Sequence, residues 1–206
     1  MEAEQFTDCS IDLETLGTNE DAVILSLGAV VFNINEVDSI EDLETENRIF
    51  YAKFELGSQV AAGRTIDPDT VMWWMRQGAQ ARQAFEVGEW GDPAVVLSRF
   101  ASWLESWGVT HLWGNGSGFD CNKTWSLAKT FGIELGGDPK NPRTGWWNDS
   151  DLRTLKRAAK LIAGYDGKDI PRGLEHHALA DAVYQAQVAQ RCWAALNSAP
   201  WVRHHG

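Results

Sequence analysis

Positive charge is scarce in this 206-residue chain: 18 Lys and Arg stand against 29 Asp and Glu, a net charge of −11. That balance argues against a generally basic surface of the kind that holds nucleic acid or an anionic membrane. Cysteine is scarce too, and Cys9, Cys121 and Cys192 lie far apart with no C-x-x-C pair. Such spacing fits neither a zinc site nor a disulfide framework, so three reduced, structural thiols are expected. No run approaches the roughly eighteen apolar residues of a membrane span. The opening segment MEAEQFTDCS has no basic stretch followed by an apolar one. A cytoplasmic protein with no membrane partner is expected.

What is present suits a globular domain: 44% of residues are hydrophobic and 23% charged. One domain over 1–206 is expected, with its core at about 6–196, since no repeat or long linker divides the chain. The charge is unevenly spread. Residues 1–60 hold fourteen acids against two bases, whereas residues 140–172 hold eight Lys or Arg against four Asp.

Two β-rich runs, 6–15 and 22–32, flank the acidic turn Thr18-Asn19-Glu20-Asp21 and read as a hairpin. The second run, AVILSLGAVVF, is almost wholly apolar or small, as in a strand buried on both faces. The acidic stretch 33–47 reads as a solvated loop, and 48–56 as a third antiparallel strand. The period then becomes helical. Asp67-Pro68 starts a helix with Val71, Trp74 and Met75 on one face, and 79–86 forms a second short helix. Asp92-Pro93 starts another helix, with Val96, Phe100, Trp103 and Trp107 inward. His111-Leu112-Trp113 reads as a strand parallel to the sheet. The glycine turn Gly114-Asn115-Gly116-Ser117-Gly118 follows, then a helix over 119–131. Residues 136–148 form a Gly/Pro loop, and the last two helices span 149–163 and 178–196, separated by the loop 164–173.

Three constellations carry chemistry. On a strand, Asp12 and Glu14 share a face while Leu13 points the other way. Paired carboxylates repel unless protonated, solvated or bridged by a cation, and oxygen donors suit Mg²⁺ or Mn²⁺. A solvated strand face is the plainer explanation of so short a motif. Asp120 ends the glycine turn, where an ordinary helix cap explains it equally well. Asp181 lies about a turn inside a late helix whose small residues Ala178, Ala180 and Ala182 favour close packing, and a first-turn acid also complements the helix dipole. His176 and His177 precede it. Each motif is weak alone; the specific feature is their order along the chain.

That order resembles the DEDDh class of 3′-to-5′ exonucleases, a class with the ribonuclease H-like fold that includes proofreading exonucleases and ribonuclease T. The resemblance sharpens toward phage exodeoxyribonuclease A and related bacterial exoribonucleases at Asp69-Thr70-Val71-Met72-Trp73-Trp74 through Gln77 and Ala81-Arg82. It does so again at Trp147-Asn148 with Asp151-Leu152-Arg153-Thr154. It spans roughly residues 8–190 and implies an α/β fold, a mixed β-sheet flanked by helices. It further implies that Asp12, Glu14, Asp120 and Asp181 hold two divalent cations, Mg²⁺ or Mn²⁺. His176 fits the H-x-A-x-x-D spacing and would be the general base, a task suited to a side chain that ordinarily titrates near neutrality. His177 is the rival, one position short.

Thr15 and Leu16 correspond to positions that meet the terminal nucleotide in the family. Relatives carry a polar residue four before the second-motif aspartate; here Gly116 stands there, which leaves Asn115 as the substrate contact. Trp146 and Trp147 serve either as packing residues or as a stacking platform, with Trp147 the candidate substrate contact, since aromatic faces bind unpaired bases regardless of sequence. Trp73 and Trp74 divide between one core and one partly exposed position. The basic helix offers Arg153, Lys156, Arg157 and Lys160, a stripe for phosphate or simply a solvated face.

The expected activity is metal-dependent hydrolysis from the 3′ end of single-stranded DNA or RNA, releasing nucleoside monophosphates. The resemblance allows a homodimer, and a host-cell cytoplasm if the chain is phage-encoded. Two rivals stay open: the same chemistry on short oligonucleotides or nucleotide signals, and a catalytically silent nucleic-acid-binding module.

Overall fold

The computed structural model describes residues 6–45, 47–78, 85, 89–136, 144–173 and 176–199. The chain opens with β1 (Asp8–Thr15) and β2 (Ile24–Phe32), then a one-turn helix α1 (Ile40–Leu43), β3 (Ile49–Phe54), and helices α2 (Leu56–Ala61) and α3 (Pro68–Arg76). It continues through β4 (Trp90–Gly91), α4 (Pro93–Trp107), β5 (His111–Gly114) and α5 (Ser117–Thr130). A 3₁₀ turn (Trp146–Asn148), β6 (Ser150–Asp151), α6 (Leu152–Ala163) and α7 (Ala178–Asn197) complete it.

The six strands form one sheet in the order β4-β3-β2-β1-β5-β6. β1, β2 and β3 pair antiparallel, while β4 runs parallel to β3, β5 parallel to β1 and β6 parallel to β5. The expected mixed sheet flanked by helices is therefore observed. Every residue of β2 is buried, as its unbroken apolar run required of a strand at the centre of the sheet. Strand periodicity sorts β1 into two faces. Cys9, Ile11 and Leu13 join the core beneath α4 and α5, whereas Asp12 and Glu14 lie on the opposite face, paired across β2 with Gly28 and Ser26. A second core under α6 and α7 contains Val30, Phe32, Leu152, Ala182 and Ala186. All three cysteines are buried and free, and no helix among the described residues is long and apolar enough to cross a membrane.

Several expectations required correction. The acidic stretch contains α1, closed by a capping box between Ser39 and Asp42 and anchored by the buried Leu43. The strand expected over 48–56 ends at Phe54, and a helix that the sequence did not suggest follows at Leu56–Ala61, where Gln59 reaches back to the backbone of Ile24, accepting at 2.9 Å and donating at 2.8 Å. Met75 is 63% exposed, so α3 buries Trp74 but not Met75. The helix expected from residue 149 begins only at Leu152, since Ser150 and Asp151 pair with β5 and the Asp151 side chain caps α6. Apart from Phe85, the helix expected over 79–86 lies outside the described residues, as do residues 137–143 of the Gly/Pro loop.

Candidate active site

At the end of β1 a cleft of about 700 Å³ opens, lined by Asp12, Glu14, Thr15, Asn115, Asp120, His176 and Asp181 among others. Three separate elements bring the acids together. β1 supplies Asp12 and Glu14 from one face of a strand, α5 supplies Asp120, and α7 supplies Asp181. Carboxylate oxygens of Asp12, Glu14 and Asp181 all lie within 4.8 Å of one another. Asp120 lines the same cleft. It is the fourth residue of α5 rather than its cap, because Gly116, at φ 103°, turns the chain and starts the helix earlier than expected.

The electrostatics follow from crowding like charges in a partly dry cleft. Burial, with the charges of Asp120, Glu14 and Asp181 added to it, holds the Asp12 carboxyl well above its ordinary range. Burial and the charges of Asp181 and Asp120 push Glu14 up to about 8. Burial likewise raises Asp120 to about 7, against the opposing pull of the Leu13 amide, Lys123, Arg153 and the Asn115 amide.

The two histidines separate cleanly. His176 is the one described non-glycine residue with positive φ, at 62°. Its backbone N–H donates to Asp181 Oδ2 at 3.1 Å, and its ring lies edge-on to Trp73 at 5.2 Å while lining the cleft. The left-handed backbone costs an L-residue on the order of 1 kcal/mol, and here it turns the imidazole toward the acids. His177 is instead the N-cap of α7: its Nδ1 accepts from the Ala180 N–H at 3.4 Å, and its ring stacks on Tyr51 at 4.9 Å. Their neighbours Leu174 and Glu175 lie outside the described residues.

Of the expected substrate residues, Thr15 and Asn115 line the cleft. Leu16 does not; it is 6% exposed and packs with Val23, Leu25 and Trp74. Trp147 is also outside the cleft lining, on the 3₁₀ turn, and is 54% exposed. Trp73 and Trp74 divide as expected. Trp74 is buried and donates its indole N–H to the Thr15 carbonyl at 2.9 Å, which fixes the strand end beside Glu14, and Trp73 forms part of the cleft wall.

Two residues that shape the site were missed in the sequence. Gln185 of α7 is 5% exposed and donates from Nε2 to Asp12 Oδ1 at 2.7 Å, which orients the carboxylate. An amide four residues after Asp181 has no signature that sets it apart from an ordinary helix glutamine. Gly28 lies opposite Asp12, and a Cβ there would stand 2.2 Å from the backbone of Ala178 and Leu179. Its absence lets the start of α7 press onto the sheet. A glycine inside an apolar strand was a readable sign of such an approach.

Comparison with known proteins gives the chain a family and a fold. A family model described as the 3′-5′ exoribonuclease Rv2179c-like domain matches residues 7–193. The exodeoxyribonuclease of Enterobacteria phage T4 is 25% identical over 181 residues, covering 81% of this chain and 78% of the phage protein. Among solved structures, exonuclease I superposes with a TM-score of 0.61 at 16% identity, over 91% of this chain and 42% of its own. E. coli exonuclease I in complex with an oligonucleotide gives 0.57 at 17% identity, over 94% and 40%. The chain thus spans less than half the length of exonuclease I. The Mg²⁺- and Mn²⁺-bound S. pombe Pop2p gives 0.52 at 16% identity, over 91% of this chain and 83% of that one. At these identities the structures establish the ribonuclease H-like exonuclease fold.

Proposed function

Given that the chain belongs to the Rv2179c-like 3′-5′ exoribonuclease domain family, we propose that its 3′-to-5′ exonuclease activity acts on the 3′ end of single-stranded nucleic acid and releases nucleoside monophosphates. We assign Asp12, Glu14, Asp120 and Asp181 as the ligands of two divalent cations, Mg²⁺ or Mn²⁺, and His176 as the general base. The observation that carries this reading is the convergence of Asp12, Glu14 and Asp181 within 4.8 Å in a cleft that also holds His176.

The donor set fits such ions. Crowded carboxylate oxygens, with Asp12 and Glu14 raised by burial and mutual repulsion, are the hard donors that Mg²⁺ and Mn²⁺ take. Bound there, two divalent cations supply a water acidic enough to attack and neutralise charge on the scissile phosphate. The chain's own residues do the rest. His176 accepts the attacking water's proton, the new bond forms at phosphorus, the bond to the penultimate 3′ oxygen breaks, and solvent protonates that oxygen. Gln185 donates to Asp12 Oδ1 at 2.7 Å and so orients the carboxylate that would hold an ion. Thr15, fixed through its carbonyl by Trp74, and Asn115 border the space for the terminal nucleotide. The recessed cleft favours an unpaired end, which can enter where a duplex cannot.

Purified protein with Mn²⁺ or Mg²⁺ is to be incubated with matched 5′-labelled single-stranded DNA and RNA. A ladder shortening from the 3′ end is expected, with its loss in Asp12→Ala; cleavage retained in Asp12→Ala would overturn the assignment.

A further inference from the structure

Arg153 belongs both to the cleft and to the exposed face of α6. The inner stripe of this helix is set by Leu152, Leu155 and Ala159, which pack into the second core. The outer stripe therefore carries the exposed Arg153, Arg157 and Lys160, with Lys156 half-buried at its inner margin, spaced i, i+3, i+4 and i+7. No acid occurs anywhere in the helix.

The nearby acids offset only part of this charge, and Arg153 is the member of the stripe that faces Asp151. Asp151 is occupied as a double cap, accepting from the Thr154 N–H at 2.7 Å and the Ser117 N–H at 2.8 Å. Asp166 pairs with Lys168 at 3.0 Å and lies only at the 4.0 Å margin from Lys160, whose side chain is 66% exposed. At the cleft end, the guanidinium of Arg153 lies over Gly116, where a Cβ would stand 3.1 Å from it. The helix starts at the cleft and runs outward, so from Arg153 to Lys160 the stripe covers about 10 Å at 1.5 Å per residue. In a chain of net charge −11, a polyanion meets repulsion along most approaches, and this stripe offers a favourable one that ends at the acids.

We propose that the exposed face of α6 is a phosphate track. It binds the single strand just upstream of the scissile bond, and it makes the enzyme prefer strands longer than a dinucleotide. The occupant is a nucleic-acid backbone because the stripe is continuous with the cleft through Arg153 and complements phosphate charge. The inference rests on the nuclease reading and adds a length preference to it.

The test measures kcat/KM on a 5′-labelled dinucleotide and on a twelve-nucleotide single strand, with Mn²⁺, across a range of salt. The proteins are the wild type, an Arg157→Glu/Lys160→Glu double variant, and Lys129→Glu, which makes a single charge reversal of the same sign on the last turn of α5. Wild type is expected to favour the longer strand by about tenfold, and in the double variant this ratio falls toward one. The slope of log kcat/KM against log salt on the long strand shrinks by about one to two, given roughly 0.7 per phosphate contact on single strands. Lys129→Glu keeps the wild-type ratio, and a thermal melt confirms that the double variant is folded. The track is overturned if the double variant keeps the wild-type ratio and slope, or if wild type cleaves both lengths equally. A wild type that cleaves neither substrate overturns the nuclease reading, and the track falls with it.

Discussion

At the scale of single residues, the site puts like neighbours in unlike surroundings. His176 and His177 are adjacent, yet one ring lines the cleft while the other caps α7 and stacks on Tyr51. Their replacement should therefore fail in different ways. His176→Ala is expected to lower kcat by about 10²- to 10⁴-fold with little change in Tm, the usual scale for loss of a general base. His177→Ala should cost on the order of 1 kcal/mol of stability through the lost cap while keeping most of kcat. Steady-state kinetics and thermal melts on both variants decide it, and a reversed pattern would transfer the base to His177. Gln185 makes a subtler prediction, since it acts through Asp12. Gln185→Leu should raise the metal concentration for half-maximal activity by about 10- to 100-fold, the usual cost of losing a partner to a metal ligand. At saturating metal kcat should largely recover; an unchanged metal requirement would remove Gln185 from the positioning role. The four acids were legible in the sequence because their order is specific. Gln185 was not, because its partner lies 173 residues away and nothing local marks a glutamine that bonds a carboxylate.

At the scale of elements, the packing of α7 onto β2 decides whether the site exists, because that helix and its entry carry Asp181, Gln185 and His176. Gly28 permits the approach, since a Cβ there meets backbone rather than a side chain that could move aside. Gly28→Ala should cost about 1–3 kcal/mol by overpacking and lower activity further than the melt alone explains, as α7 shifts away from Asp12. Gly57, in α2, has nothing within 4 Å of its virtual Cβ. Gly57→Ala should accordingly be neutral or raise stability by about 0.5–1 kcal/mol, with activity unchanged. Thermal melts on the pair test the contrast, and equal effects would refute it. The long elements were readable because β2 buries every residue and α4 repeats its apolar stripe over four turns. The short ones were not: α1 and α2 carry less than two turns of pattern, and their anchors, Leu43 and Gln59, are single residues. Met75 misled because helical spacing marks a potential apolar face, while its burial depends on what the rest of the fold places against it.

At the scale of the whole molecule, the crowded acids set how stability responds to pH and to metal. The Glu14 carboxyl is raised from 4.5 to about 8, and Asp120 from 3.8 to about 7, by burial first in each case. Above the ordinary range the unfolded chain has released these protons while the metal-free folded protein still holds them. Folding is then linked to proton binding, so stability is fully present below about pH 4 and is lost as pH rises through the raised values. In the presence of a chelator, Tm should fall between about pH 5 and pH 8. Divalent cations held as proposed would bind the deprotonated acids and offset the repulsion that protonation otherwise relieves, so metal affinity would rise over the same window. The gain in Tm on adding Mn²⁺ or Mg²⁺ should therefore grow from pH 5 to pH 8 and largely disappear in Asp12→Asn. Melts across that range, with and without metal, read both trends. A gain that stays flat with pH, or survives in Asp12→Asn, would place metal binding elsewhere than these carboxylates.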